Sequence, residues 1–303
     1  MLPIPYDTQM IATNGVRLHT VLAGDPNGEP IVFLHGFPDF WYGWHNQIPF
    51  FAERGYRVIV PDQRGYNLSD KPSDVLAYRI NTLATDIAGL IDALGYDQVH
   101  LVGHDWGAAV AWWVATMFPE RLKTLNILNV PYPTVMIKQF QSGDLSQLFK
   151  SWYMFFFQIP ALPEALVSAA GYERMGDVLR RTSNPGSFSD EDIAHYKQAW
   201  SQPGALTATI NWYRAMFRSA SETRQTAKQN ALASGKKIPT PTLILWGEKD
   251  QFLGTAVARE SLKVVENGEL VFFPKSTHWI QHDEPDDVNK YLLEWITRDH
   301  SSA

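Results

Sequence analysis

Apolar positions recur along this chain in short, unbroken runs that stop at turn residues. The runs are "IVFLHG" (31–36), "YRVIVPD" (56–62), "QVHLVGHD" (98–105), "TLNILNVP" (124–131), "TPTLILWGEKD" (240–250) and "ELVFFPKS" (269–276). Continuous runs of this length suit strands covered on both faces, as in a parallel sheet. Two earlier segments, "TQMIAT" and "VRLHTVLAG", read as a hairpin at the sheet edge. Between the runs the period lengthens. In "NTLATDIAGLIDALG" (81–95) apolar residues fall at 83, 87, 90, 91 and 94, the spacing of one helix face. Asn81 is a candidate cap for its start and Gly95 a candidate stop. "GAAVAWWVATMFPERL" reads as another helix. Strands alternating with helices predict an α/β sheet with covered faces.

That rhythm breaks between about 132 and 238, where the periodicity is helical and no convincing strand occurs, ending in the polar run "NALASGKK" (230–237). A helical block inserted between two strands would sit as a lid over the C-terminal edge of the sheet, where ligands bind in open α/β sheets. The expected division is a core of 1–131 and 239–303 with a helical cap of 132–238. A length of 303 residues, long for one domain and short for two, fits a core with an insertion. Hydrophobic residues at 45% and charged residues at 19% are ordinary for a globular chain, while 13% aromatic residues hint at an apolar pocket. A net charge of −6 and the lack of a dense Lys/Arg run argue against nucleic-acid partners. Without cysteine there are no disulfides, thiolate nucleophiles or Cys-based metal sites. "MLPIPYDTQM" lacks the pattern of a signal peptide, and "WYMFFFQIPAL" is too short and proline-broken to span a membrane. We therefore expect a soluble, cytoplasmic protein with no membrane partner, no cofactor and no metal. Nothing in the pattern specifies an oligomeric state.

The candidate chemistry starts at "VGHDWGAA" (102–109). Gly103 and Gly107 flank Asp105 at the spacing of the G-x-S-x-G turn, where a strand reverses into a helix and exposes a nucleophile. Here a carboxylate stands in place of the serine. The plainer reading is an N-cap aspartate, which is common. "WGEKD" ends a strand at Asp250, and "STHW" after the next strand supplies His278. The chain order is thus nucleophile, acid, base. Each residue singly could be a surface Asp or a structural His. Three fitting types, each just past a predicted strand, make coincidence a poor account. His282 and Asp283 read as loop residues.

Together these residues make the chain resemble the α/β-hydrolase superfamily over nearly its whole length, and within it the soluble epoxide hydrolases. The motifs that carry the resemblance are "HGFPDFWYGW", "DQRGYNLSDKP", "GHDWGAAVAWWVA", "GEKD" and "STHWIQHDEP", with "WYMFFFQIP" (152–160) and "NWYRAMF" (211–217) in the inserted block. The resemblance implies the α/β-hydrolase fold, a mostly parallel eight-stranded sheet flanked by helices with an inserted all-helical cap domain. It implies a triad of Asp105, Asp250 and His278, and an oxyanion hole made by the backbone N–H groups of Phe37 and Trp106. Tyr153 and Tyr213 match the cap tyrosines that hold the epoxide oxygen; by composition alone both would be core aromatics. His35, Pro38, Trp106, Phe155, Trp212 and Trp279 are the expected pocket residues. Asn67 departs from the family's usual Gly in the "RGYG" turn, which affects loop geometry more than chemistry.

The reaction so implied takes a small apolar epoxide and water to a vicinal diol. An ester forms on Asp105, with Tyr153 and Tyr213 as ring-opening acids, and is hydrolysed by water that His278 and Asp250 activate. Two alternatives stay open. Haloalkane and haloacid dehalogenases use the same Asp nucleophile, but typically add a side-chain donor where Phe37 stands, or an Arg where Trp106 stands. A non-catalytic ligand-binding member of the fold would usually have lost part of the triad. A serine-type esterase is disfavoured by the elbow itself.

Overall fold

Eight strands form one sheet in the computed structural model, which describes residues 2–141, 152–229 and 237–300. They are β1 (Tyr6–Thr13), β2 (Val16–Gly24), β3 (Pro30–Leu34), β4 (Arg57–Pro61), β5 (Val99–His104), β6 (Leu122–Leu128), β7 (Thr242–Gly247) and β8 (Gly268–Phe273). Their order across the sheet is β1-β2-β4-β3-β5-β6-β7-β8. The β1–β2 hairpin is antiparallel, as is β2 to β4, and every other pair is parallel. This is the sheet that the apolar runs predict.

Each run is apolar throughout because its alternate residues serve two layers. Val32, Leu34, Leu101, Ile127, Ile244 and Trp246 join one core with the helices Ile80–Ala93 and Trp106–Met117. Ile31, Phe33, Val102, Leu128, Leu243 and Leu245 join the other with Gln47–Ala52 and Pro285–Ile296. The helix Ile80–Ala93 buries Leu83, Ile87, Leu90 and Ile91, and Gly95 follows it at φ +79°. Asn81 does not cap it. Arg79 precedes the helix, and Asn81 lies inside the first turn. There its Oδ1 accepts the Trp113 Nε1–H at 2.6 Å, and its Nδ2 donates to Glu222 and Thr226. The partly buried indole N–H needs an acceptor, and that need outweighs a cap.

Between β6 and β7 the described residues form helices and turns. The longer helices are Pro133–Gln141, Glu173–Thr182, Asp190–Trp200, Ala205–Arg218 and Ala220–Gln229. Most of the polar run at 230–237 lies outside the described residues. The insertion has its own core of Phe157, Leu179, Phe188, Tyr196 and Ile210, which Phe40 and Trp279 enter from the loops after β3 and β8. It therefore sits against the C-terminal edge of the parallel strands. Among the described residues no helix is long and apolar enough to cross a membrane.

Candidate active site

Asp105 directly follows β5 with φ +50° and ψ −126°. A non-glycine residue held there costs about 1–3 kcal/mol, and such strain clusters at functional sites. Asp105 occupies the N-cap position of the helix Trp106–Met117, yet its side chain caps nothing. Instead Oδ1 accepts the Phe37 N–H at 2.7 Å. Trp106 opens the helix, so its N–H is one of the first amides, which have no partner within the helix. Two glycines let the elbow close. A Cβ at Gly107 would lie 2.1 Å from the Leu34 carbonyl oxygen, and one at Gly36 would lie 2.3 Å from the Asp105 side chain.

Asp250 follows β7, and His278 follows β8. His278 Nδ1 lies 2.7 Å from Asp250 Oδ2, and its Nε2 lies 3.3 Å from Asp105 Oδ2. All three expected triad residues are thus in line. The remaining acceptor sites of Asp250 are filled: Oδ1 takes the N–H groups of Phe252 and Leu253, and Oδ2 also takes Asn129 Nδ2 at 2.8 Å. Asn129 is a residue that the sequence reading missed. It ends "TLNILN" in the left-handed region, φ +54°, and its Oδ1 accepts the Gly247 N–H. A polar residue closing an apolar strand was its available signal. His104 is a second omission. Its Nε2–H donates to the His278 carbonyl oxygen at 2.8 Å, and its Nδ1 accepts from Gln281, as these partners require.

The charges are tightly coupled. Burial works to raise the Asp105 carboxyl, but the His278 hydrogen bond and charge outweigh it and hold it below the usual range. Burial works to lower His278, and the charges of Asp250 and Asp105 with their hydrogen bonds raise it instead. The resting pair is therefore carboxylate and imidazolium. Burial holds the Tyr153 and Tyr213 phenols well above their ordinary values, with the Asp105 charge adding to it, so both stay protonated.

An apolar cavity of about 270 Å³ opens onto this group. Asp105 and His278 line it from the sheet side, Tyr153 and Tyr213 from the insertion. The two tyrosine rings lie edge to face, 5.8 Å apart, and the Trp106 ring lies edge to face with Tyr213 at 5.2 Å. Trp106 and Trp212 line the cavity, as do Val130, Met136, Met216, Phe252 and Leu253, which the sequence reading did not single out.

Four expected pocket residues lie elsewhere. His35 is buried beneath the loop, where its Nε2 accepts the Gln63 N–H. Pro38 faces a separate small cavity. Phe155 is on the outer side of its helix, 47% exposed and against Phe217. Trp279 is buried against Phe188 and donates to Thr182. In each case the motif was near the site, but helix phase or a hydrogen bond turned the side chain away. Asn67 adopts φ +40°, a conformation that Asn tolerates, and donates to Asp62 Oδ2 at 2.8 Å. His282 and Asp283 are not loop residues but belong to the short helix Ile280–Asp283. Asp283 accepts from Asn184 and Ser187 of the insertion and from Thr277 beside His278. It ties the insertion to the His278 loop.

Known proteins are similar to this chain in sequence and in shape. Residues 29–285 match the family described as alpha/beta hydrolase fold. The chain is 44% identical over 289 residues to the AB hydrolase superfamily protein YfhM of Bacillus subtilis, covering 95% of this chain and 97% of that protein. It is 38% identical over 298 residues to Epoxide hydrolase 1 of Caenorhabditis elegans, covering 97% of this chain and 71% of that one. Among solved structures, Bacillus megaterium epoxide hydrolase in complex with an inhibitor superposes with a TM-score of 0.83 at 28% identity, covering 96% of this chain and 100% of the other. The chain therefore belongs to the α/β-hydrolase superfamily and, within it, to the epoxide hydrolase family.

Proposed function

We propose that this protein hydrolyses a small apolar epoxide to a vicinal diol through a covalent ester on Asp105. The observation that carries the reading is a pair of protonated phenols, Tyr153 and Tyr213, facing a buried carboxylate across an apolar cavity. An alkoxide is a poor leaving group and needs a proton donor; a halide does not. Relatives named as epoxide hydrolases support the same reaction.

In the first step an Asp105 oxygen attacks a ring carbon and the carbon–oxygen bond of the ring breaks. The departing oxygen takes a proton from the tyrosine pair, a contribution typically worth about 10²–10⁴-fold. In the second step His278 Nε2 takes a proton from water and the hydroxide attacks the ester carbonyl. The oxyanion lies between the N–H groups of Phe37 and Trp106. On collapse the imidazolium protonates the diol oxygen, and the water's other proton returns His278 to its resting imidazolium. Asp250, held by Asn129, orients His278.

Esterification also switches the base on. His278 is held protonated by two carboxylates, and the ester removes the charge of one of them. Its pKa then falls, so His278 gives up its proton, which restores the phenol, and becomes a base once there is an ester to hydrolyse. The helical segment 132–238 serves as the cap that brings the tyrosines to the core formed by 1–131 and 239–303.

The test is a single turnover of styrene oxide in ¹⁸O-water. The label should first enter Asp105 and not the diol. His278→Gln should accumulate the alkyl-enzyme, seen as added mass on the intact protein, and Asp105→Ala should form neither ester nor diol. Label appearing directly in the diol, or halide release from a chloroalkane outpacing diol formation, would overturn the reading.

A further inference from the structure

The Phe37 N–H belongs to the loop after β3, and one helix of the insertion grips that loop at three consecutive handholds. This helix, Asp190–Trp200, starts on a capping box between Ser189 and Asp192, which fixes where its first turn begins. Trp200 Nε1–H donates to the Pro38 carbonyl, the Tyr196 hydroxyl donates to Asp39 Oδ1, and the Tyr42 hydroxyl donates to Asp192 Oδ1 at 3.0 Å. The five side chains involved are all buried. Asp39 is 2% exposed, and a carboxylate so enclosed is tolerated only where it is hydrogen-bonded. Besides Tyr196 its polar neighbours are the Phe40 N–H at 3.2 Å and His282 Nε2 at 3.9 Å. A Cβ at Gly43 would meet its oxygens at 2.2 and 2.3 Å, so Asp39 packs directly against the Gly43 backbone. Only Pro38, whose ring fixes its φ, separates Asp39 from Phe37. A shift of Asp39 is therefore passed on to the Phe37 amide.

We propose that Tyr196 is a positioning residue: through Asp39 it holds the Phe37 N–H on target, so that a helix of the insertion governs hydrolysis of the ester without touching substrate. Tyr196 is not among the residues lining the active-site cavity. The inference rests on the proposed role of Phe37 as an oxyanion donor. That role predicts unequal effects on the two steps. In the resting enzyme the Phe37 N–H stabilises the Asp105 carboxylate, so loosening it leaves the nucleophile no weaker. In ester hydrolysis the same N–H faces a developing oxyanion, and misplacing such a donor by about 1 Å can cost about 10²-fold.

The variant Tyr196→Phe removes the hydroxyl and keeps the ring against Phe40, Phe188 and Trp200. Single turnovers of styrene oxide are quenched over time and the esterified fraction is read from intact mass. Ester formation should stay within about 2-fold of wild type while hydrolysis slows by about 10-fold, so that ester accumulates. Equal slowing of both steps, or of neither, overturns the inference. The double variant Tyr196→Phe/Asp39→Asn separates positioning from mere charge compensation. It should regain thermal stability with hydrolysis still slow; recovery of hydrolysis along with stability overturns the inference. Trp200→Phe, which loses the bond to Pro38, gives the same split should Tyr196→Phe fail to fold. A wild-type enzyme that forms no ester on Asp105 overturns the functional reading and this inference with it.

Discussion

Asp250 accepts four hydrogen bonds, and one of them comes from a side chain that no triad motif contains. Asn129 offers its amide N–H to Asp250 and its amide oxygen to Gly247, from a backbone conformation that glycine also adopts freely. Asn129→Gly therefore deletes both bonds without adding backbone strain. We expect a loss of about 1–3 kcal/mol in urea unfolding, because buried partners are left unpaired, and slower ester hydrolysis as His278 loses its fixed orientation. The His278 charge makes a second prediction. In the ester its pKa lies below its resting value, and only the neutral ring accepts the water's proton. Lowering pH should then slow hydrolysis while ring opening continues, since Asp105 stays ionised to below the usual carboxylate range. The ester fraction at steady state, measured by rapid quench, should rise as pH falls. An ester fraction that falls instead would contradict His278 as the base.

At the scale of elements, the sheet edge and the insertion are joined by a few polar ties. Asp283 is one: each oxygen takes two donors, Asn184 and Ser187 on the insertion side and the N–H and hydroxyl of Thr277 on the other. Asp283→Asn would turn an NH₂ group toward donors. The urea midpoint should drop by an amount equivalent to about 1–3 kcal/mol, with the m-value unchanged. An unchanged midpoint would mean that this tie contributes nothing to docking the insertion. The element boundaries show what was legible. The apolar runs marked β3 to β8 to within a few residues; β3 to β7 lie inside the sheet, and a strand buried on both faces must be apolar throughout, while β8 forms the edge beside β7. Asn81 as a cap was wrong, because a tryptophan far along the chain claimed its side chain.

For the whole molecule, the buried titratable groups shape stability against pH. Burial lowers His45 and His104 to about 4. Such groups favour the fold fully above the unfolded histidine value of about 6.5, and this is lost as pH falls toward 4. Asp39 and Asp105 are also lowered, despite burial, by His282 with Tyr196 and by His278 respectively, and add to the loss at still lower pH. His278, pushed up to about 10, acts in the opposite sense: its stabilisation is complete below about 6.5 and is lost as pH rises through 10. The melting temperature should therefore peak near neutral pH and decline on both sides. Asp105→Asn should flatten the alkaline decline, because it removes one of the two anions that raise His278. An alkaline limb unchanged in that variant would place the shift on Asp250 alone.

The local pattern of the chain was enough for the alternating strands and helices, the helical insertion, and the residue types at each strand end that could carry a nucleophile, an acid and a base. Those features are local, since a strand buried on both faces and a sharp glycine-flanked turn leave their mark within a few residues. Tertiary structure alone decided which side chains reach the cavity. Trp106 and Trp212 turn inward while Phe155 and Trp279 turn away. It alone brought Asn129 to Asp250, Asp283 to both sides of a junction, and Tyr196 to Asp39. Such pairs span 121 residues for Asn129 and Asp250, 157 for Tyr196 and Asp39, and 99 for Asn184 and Asp283. Their hydrogen bonds depend on helix phase and loop course, which periodicity does not encode.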